Sequence, residues 1–172
     1  MKKIALIFLL ALFLSGCLGY TTGSLLPAHL KAIAIPNFSN RTYEHGLEID
    51  VTKKVIERFV FDGNLKIATE ANADMILIGE LLKYDRAPLR YTDTDTIEEY
   101  RVIITVNLVL KDLVKNKIMW RESKFTGEYT YYTDASQSTG AAGTSVGSEE
   151  EAKKEAMIDL ARSIVNRTVE GW

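Results

Sequence analysis

The stretch YRVIITVNLVLK at residues 100–111 alternates apolar with more polar side chains, and this alternation decides the fold class. Side chains of a β-strand point to opposite faces in turn, so a period of two predicts a strand with one face in the core. The inward set is Tyr100, Val102, Ile104, Val106, Leu108 and Leu110. Residues 112–117 then predict a turn, and residues 118–132 predict a second long strand. Strands of this length exceed the common value of about five or six residues, so we expect the hairpin to project beyond the helices that cover it or to bend around them.

Two segments have the spacing of amphipathic helices. From about Thr42 to Phe61, apolar residues recur every four positions, and Gly63 ends the segment because glycine adopts the left-handed cap conformation readily. Ser148 followed by three glutamates matches a capping box, so a second helix begins there. This second helix has a narrow face of small residues, which predicts close packing on a sheet. The face is formed by Ala152, Ala156 and Leu160.

The remaining segments predict shorter strands and connections. Residues 31–36 and 65–69 predict short strands, and the continuous apolar run within 73–84 predicts a strand that is covered on both faces. Residues 83–99 are polar and contain a proline, which predicts a loop between two strands. Residues 134–147, rich in Ser, Thr, Gly and Ala, predict a flexible loop. The order β-α-β-β-β-β-α predicts an α+β fold, with two helices packed on one face of a mixed, mostly antiparallel sheet of four or five strands.

The amino-terminal region has the layout of a secretion signal. Lys2 and Lys3 precede an apolar run from Ile4 to Leu14, and small residues follow before Cys17. The run is shorter than the ~20 residues that a membrane-spanning helix needs. We therefore expect residues 1–16 to be removed, residues 17–30 to form a tether and residues 31–172 to form one domain. Loss of the two lysines changes the formal net charge from −2 to −4, so the overall basic field typical of nucleic-acid binding is missing.

The sequence Leu-Ser-Gly-Cys at residues 14–17 resembles the lipobox of bacterial lipoproteins. This resemblance implies that Cys17 carries diacylglycerol and an N-acyl chain, which together anchor a protein stably where one chain does not. No disulfide can then form, since Cys17 is the single cysteine. Leu18 differs from the Asp that resembles an inner-membrane retention signal in enteric bacteria. Sorting to the outer membrane is therefore expected, and no cofactor is expected apart from the covalent lipid.

The wider pattern of short motifs resembles the LptE family of lipopolysaccharide-assembly lipoproteins. The motifs, in order, are Cys17-Leu-Gly-Tyr20, Ile33-Ala-Ile-Pro36, Phe38-x-Asn40, Asp62-Gly63, Ala73-Asp74, Glu99-Tyr100-Arg101 and Gly171-Trp172. The resemblance implies a non-enzymatic protein that sits inside the β-barrel LptD as a plug, helps this barrel to assemble and binds lipopolysaccharide on its way to the outer leaflet. The chain would face the periplasm and the barrel lumen.

Lipopolysaccharide carries phosphates and carboxylates, so a site for it needs Lys or Arg side chains that donate charge-assisted hydrogen bonds. Arg90 is the first candidate, because Ala-Pro-Leu-Arg-Tyr at residues 87–91 places a guanidinium between apolar neighbours at a predicted loop tip. The other candidates lie nearby in sequence or on the returning strand. They are Lys83, Arg86, Arg101 and Lys124, with Arg121 beside them. The alternative for each is an ordinary solvated surface cation.

Enzymatic and metal-dependent functions find little support in the sequence. The two histidines, His29 and His45, fall in the predicted tether and at the start of a helix, where we expect them to face solvent or to cap. Asp93 and Asp95 lack the glycine and glutamate of a calcium loop, so neither a catalytic set nor a metal site is predicted. The alternative function is that of a lipoprotein pilot or scaffold for a different outer-membrane complex, such as a secretin, because fold alone does not distinguish these roles.

Overall fold

The computed structural model describes residues 26–133 and 147–170. Within these residues the chain forms six strands, two α-helices and a short 3-10 turn, and so confirms the predicted α+β class with a sheet of six strands in place of four or five. The elements are β1 (Ala32–Ala34), β2 (Ser39–Asn40), α1 (Leu47–Asp62), β3 (Lys66–Ile67), the 3-10 turn (Glu70–Asn72), β4 (Met75–Tyr91), β5 (Ile97–Asp112), β6 (Lys117–Tyr132) and α2 (Glu149–Val169).

The sheet is mixed, with strand order β3-β1-β4-β5-β6 and β2 paired to the middle of β4. β1 pairs in parallel with β3 and β4, and β2 pairs in parallel with β4. The three long strands β4, β5 and β6 are antiparallel. The sequence interpretation had assigned residues 37–41 to a turn and therefore missed β2, which is only two residues long.

The alternation along β5 places one face of the sheet in the core, as predicted. Val102, Ile104, Val106 and Leu110 are fully buried, and each buried aliphatic side chain contributes about 1.5–3 kcal/mol to folding. Both helices cover this face. Phe38 packs against Gly79 of β4 while its N–H donates to Thr52 of α1, and Gly127 of β6 faces Leu160 of α2; each of these residues is buried. The opposite side of the sheet is here called the open face.

Helix α2 lies very close to the sheet because its contact face is small, as the sequence predicted. A Cβ added at Gly127 would lie 2.4 Å from the Leu160 Cβ and 2.6 Å from the Ala156 carbonyl oxygen. The predicted capping box is also present, since the Ser148 side chain accepts from the Glu151 N–H and the Glu151 side chain accepts from the Ser148 N–H. The helix start is thus fixed by local hydrogen bonds that leave its apolar face directed at the sheet.

Helix α1 begins at Leu47, later than the predicted start at Thr42. Gly46 has a φ of 80°, a left-handed conformation that a helix interior does not contain, and the Asn40 amide donates to the Glu44 carbonyl oxygen at 2.8 Å. Residues 42–45 therefore form a turn held by a side chain. The predicted end is confirmed, because Gly63 is left-handed and its N–H donates to the Phe59 carbonyl oxygen at 3.1 Å.

The sequence interpretation was wrong about β4. This strand runs to Tyr91, so most of the predicted loop at residues 83–99 is β-strand and residues 92–96 alone connect β4 to β5. Neither is β4 covered on both faces, because Ile78 on the open face is 47% exposed. Pro88 is tolerated because no strand pairs with the outer edge of β4 beyond Leu81 in the described part of the chain, and a bulge follows it.

Several predictions concern residues outside the described ranges. The signal at residues 1–16, Cys17, nearly all of the 134–147 segment and the final Gly171-Trp172 belong to this group. A search of the described residues for a helix long and apolar enough to cross a membrane finds none.

Candidate functional site at the distal hairpin

The outer parts of β4 and β5, residues 83–91 and 97–105, form a two-stranded projection that we call the distal hairpin. β1 and β2 pair with β4 only up to Leu81, so beyond this residue the hairpin is flanked by β6 alone among the described strands. The hairpin carries Lys83, Arg86, Arg90 and Arg101, which are four of the five predicted lipopolysaccharide-binding residues. The sequence had led us to expect a projecting or bent hairpin from the strands at residues 100–111 and 118–132, whereas this projection is formed by β4 and β5.

Arg86 lies on the helix side of the hairpin and joins it to the start of α2. Its Nη1 is 2.6 Å from Glu149 Oε2, and its guanidinium lies 4.5 Å from the centroid of the Tyr100 ring. Tyr84 donates its hydroxyl hydrogen to Glu149 Oε1 at 3.0 Å. Burial and this bond to a carboxylate raise the pKa of Tyr84 well above its ordinary value. The Arg86 side chain therefore has a structural role, since it holds the first turn of α2 against the sheet.

Arg90 and Arg101 lie together on the open face. Register places Arg101 opposite Ala87 and places Arg90 opposite Glu99, two residues from Arg101 on the same face. Arg90 Nη2 is 3.2 Å from Glu99 Oε2, and the Arg90 side chain is 56% exposed while that of Glu99 is 11% exposed. The Arg90 guanidinium also lies 6.0 Å from the centroid of the Tyr132 ring. Sequence reasoning placed Arg90 at a loop tip, which is wrong: it lies near the end of a strand.

Arg101 completes this pair of cations. Its Nη1 is 3.4 Å from Glu128 Oε2 on β6, while its Nε is buried and has no hydrogen-bond partner among the described residues. A buried N–H without an acceptor is uncommon and unfavourable. An anion placed between Arg90 and Arg101 on this face could accept hydrogen bonds from both guanidinium groups.

Lys83 and Lys124 lie apart from this arginine pair. Lys83 is opposite Thr105, about 13 Å along the strand from Arg101 at ~3.3 Å per residue, and its Nζ is 2.7 Å from Asp85 Oδ2. Lys124 occupies an irregularity of β6 with a φ of 55°, where its N–H donates to Asn107 Oδ1 at 3.2 Å. The five predicted residues therefore do not form one cluster. Arg86 lies on the helix side, Arg90 and Arg101 lie together on the open face, and Lys83 and Lys124 lie at separate positions along the sheet.

A polar network in the middle of the open face was missed by sequence reasoning. Arg41 Nε lies 2.6 Å from Glu80 Oε1, and Asn107 Nδ2 donates to Glu80 Oε2 at 3.1 Å. A hollow of about 340 Å³ lies beside this network, and its lining includes Ile78, Val109 and Arg121. The signal available in the sequence was Asn107, a polar residue among apolar neighbours, but its partner Glu80 and the Arg41 bound to Glu80 lie too far away in the chain to be identified.

The fold and the distal hairpin define a class: a small α+β domain with ion-paired arginines on a projecting pair of strands. Among residues 26–133 and 147–170 no group of three or more potential metal-ligating side chains occurs. The family model described as lipopolysaccharide-assembly, LptE, matches residues 30–168. The chain belongs to the LptE family, a non-enzymatic lipopolysaccharide-assembly family, as the order of its motifs indicated.

Among the solved structures that match, those with a TM-score above 0.5 share this fold at low sequence identity. Protein XCC0632 from Xanthomonas campestris has a TM-score of 0.52 at 11% identity, with 87% of this chain and 91% of that chain covered. The hypothetical protein CT253 from Chlamydia trachomatis has a TM-score of 0.51 at 12% identity, with coverages of 81% and 95%. The rare lipoprotein B from Shewanella oneidensis is 21% identical, with coverages of 80% and 93% and a TM-score of 0.48. No curated protein matches the chain.

Proposed function

We propose that this lipopolysaccharide-assembly protein is an outer-membrane lipoprotein anchored through acyl chains on Cys17. In this proposal the domain pairs with a β-barrel of the LptD type as its plug and assembly factor, and it helps to deliver lipopolysaccharide to the outer leaflet. The observation that carries the proposal is the family match, which spans residues 30–168 and so includes every strand and both helices of the described domain.

The open face supports the role of a plug. Wide barrels have polar, water-filled interiors, and the open face presents ion pairs to solvent, among them Arg90 with Glu99 and Lys83 with Asp85. Tyr91 at the end of β4 and Tyr129 of β6, which pairs with Val102, are 53% and 44% exposed. Tyrosines are enriched at protein interfaces because they combine an apolar ring with a polar hydroxyl, so these two suit contacts with a barrel wall.

The Arg90 and Arg101 pair supports lipopolysaccharide binding. Guanidinium groups bind phosphate in a bidentate manner, and Leu89 and Tyr91, which flank Arg90, are 42% and 53% exposed. A phosphate would have to replace Glu99 as the partner of Arg90. Because the Glu99 side chain is only 11% exposed, this exchange has a cost, which hydrogen bonds from both Arg90 and Arg101 to the phosphate would have to offset. Arg86 is less suited, since Glu149 and Tyr100 already hold its guanidinium.

The direct test is affinity purification of the tagged, full chain from its native envelope in mild detergent, with co-eluting proteins identified by mass spectrometry. We expect a stoichiometric β-barrel of the LptD type together with lipopolysaccharide. A matched preparation of a different tagged outer-membrane lipoprotein controls for non-specific capture. Recovery of a secretin, or of another envelope complex without a barrel of this type, would overturn the proposal and favour a pilot or scaffold role.

A further inference from the structure

The chain enters the domain beside the turn that connects β5 to β6. His29 Nε2 lies 2.9 Å from Asp112 Oδ2 at the end of β5, and the Lys31 N–H donates to Asp74 Oδ2 at 2.9 Å. The backbone of Asp74 in turn accepts from the Leu113 N–H at 2.8 Å. The first described residues and the turn at residues 113–117 are therefore fixed to one end of the sheet. We call this end the tether end.

Five lysines surround the tether end. Register places β1, β3, β4 and β5 level with one another there, since Ala32 is opposite Lys66, Ile33 is opposite Met75 and Met75 is opposite Asp112. The lysines are Lys31, Lys66, Lys111, Lys115 and Lys117. Across the described part of the chain, eleven ion pairs occur and none of them includes these five ammonium groups.

The acidic residues at this end leave the turn itself positive. The carboxylates of Asp74 and Asp112 are occupied by hydrogen bonds from the Ala32 and Lys115 N–H groups, among others. Other elements bring Asp62, Glu70 and Glu170 toward the same end, but the turn at residues 113–117 contains two lysines and no acid. The turn also exposes an apolar side chain at its apex, because Val114 is 62% exposed, and Ile118 just beyond it is 39% exposed.

We propose that the turn at residues 113–117 rests on an anionic phospholipid leaflet, with Val114 at the level of the headgroups and the five lysines facing lipid phosphates. Lysine suits this position because its apolar stem lies along the interface while its ammonium reaches the phosphates. Each Lys near an anionic surface increases binding about fivefold. This proposal rests on the proposed anchoring, which keeps the domain close to the membrane surface. The nine residues from Cys17 to Leu26 can span at most about 30 Å.

The test uses the full lipidated chain in vesicles of phosphatidylcholine, with or without a minority of phosphatidylglycerol. Val114→Cys carries a nitroxide label, which is specific because acylation consumes the thiol of Cys17. The depth of the label is measured by power saturation with oxygen and a water-soluble nickel chelate. We expect the label to lie in the headgroup region of the anionic vesicles and in water with the neutral ones. A label at Leu89→Cys on the distal hairpin should remain in water with both.

The role of the lysines is tested with a double variant, Lys115→Gln together with Lys117→Gln, in the chain that carries the label at residue 114. On anionic vesicles, the ratio of label in the headgroup region to label in water should fall by up to roughly 25-fold, about fivefold for each Lys. The matched control is Lys53→Gln with Lys154→Gln, which removes the same charge from the helices and should leave the ratio unchanged.

Flotation separates this proposal from the proposed anchoring. If the chain floats with neutral vesicles but the label at residue 114 stays in water on anionic vesicles, the proposed surface contact is overturned and the anchor is not. Flotation with anionic vesicles alone would support the contact while overturning the anchor, and flotation with neither would overturn both.

Discussion

The distal hairpin and the tether end both carry several cations, yet only one of them leaves its cations unpaired. On the hairpin, Arg86, Arg90 and Arg101 each have a carboxylate partner on a neighbouring element. At the tether end the carboxylates of Asp74 and Asp112 accept hydrogen bonds from backbone N–H groups, and the lysines have no carboxylate partners among the described residues. Strand register decides this difference, because it places Glu99 opposite Arg90 and directs Asp112 toward His29. The availability of a surface cation is thus a property of the fold.

The largest loss of unfolding free energy should come from disrupting the packing of α2 on the sheet that carries both the distal hairpin and the tether end. Gly127→Val would drive a side chain into Leu160 and the backbone of α2, where there is no space. We expect a loss of about 3 kcal/mol or more in unfolding free energy, at the upper end of overpacking costs, measured by urea denaturation. Thr126→Val is the control, because Thr126 is exposed on the open face, and it should change stability by no more than about 0.5 kcal/mol. Equal stability of both variants would contradict the close contact of α2 with β6.

A substitution at the start of α2 should loosen the distal hairpin alone and should reduce unfolding free energy by a smaller amount. Glu149→Ala removes the acceptor of both Arg86 and Tyr84, and we expect a loss of about 1 kcal/mol, since both charged side chains are partly exposed. Hydrogen exchange should show faster opening at the start of α2 while the tether end stays unchanged. Glu150→Ala is the matched control, because it removes another first-turn acid, and among the described residues that acid pairs with Lys154 of the same helix alone. A similar loss in both variants would assign the effect to the helix dipole.

The elements that sequence reasoning predicted correctly are those with a local physical signal. The alternation of β5, the capping box at Ser148 and the left-handed Gly63 each depend on a few neighbouring residues, and the structure contains all three. The distal half of β4 was missed because Pro88 and several charges indicate a loop when only local sequence is considered. A strand edge without a partner tolerates both, but which edge is free depends on the pairing of distant segments.

The same limit applies to the candidate site. Charge and neighbouring apolar residues identified Arg90, but not its partner Glu99 or its neighbour Arg101, which register alone brings to the same face. His29, which we expected to face solvent or to cap, is bonded to Asp112 over a separation of 83 residues. Such contacts leave no periodic pattern in the sequence.

Acid should weaken the tether end through Asp112. Burial would raise the pKa of Asp112, but hydrogen bonds from the Lys115 N–H and from His29 outweigh it and hold this pKa below the ordinary value of 3.8. The folded state therefore gains stability from Asp112 above that value and loses it as the pH falls through the lowered pKa. The difference in unfolding free energy between the wild type and Asp112→Asn should shrink from pH 7 to pH 3. The difference for Asp93→Asn, an exposed residue of the distal loop, should shrink less.

The smallest effect on stability, and the one that tests the proposed ligand, belongs to Arg90. The Arg90 side chain is 56% exposed while that of Glu99 is 11% exposed, and a glutamine amide can still donate to this carboxylate, so Arg90→Gln should cost less than about 1 kcal/mol of unfolding free energy. Lipopolysaccharide recovered with the purified chain should nevertheless fall severalfold, because the amide cannot donate a charged bidentate pair to phosphate. Lys83→Gln disrupts a more exposed pair on the same strand, about 13 Å from Arg101 by register, and should retain the lipid. Loss of lipid in both variants would indicate a general charge effect, while retention in both would exclude Arg90 as a contact and shift attention to Arg101, whose buried Nε would still lack an acceptor.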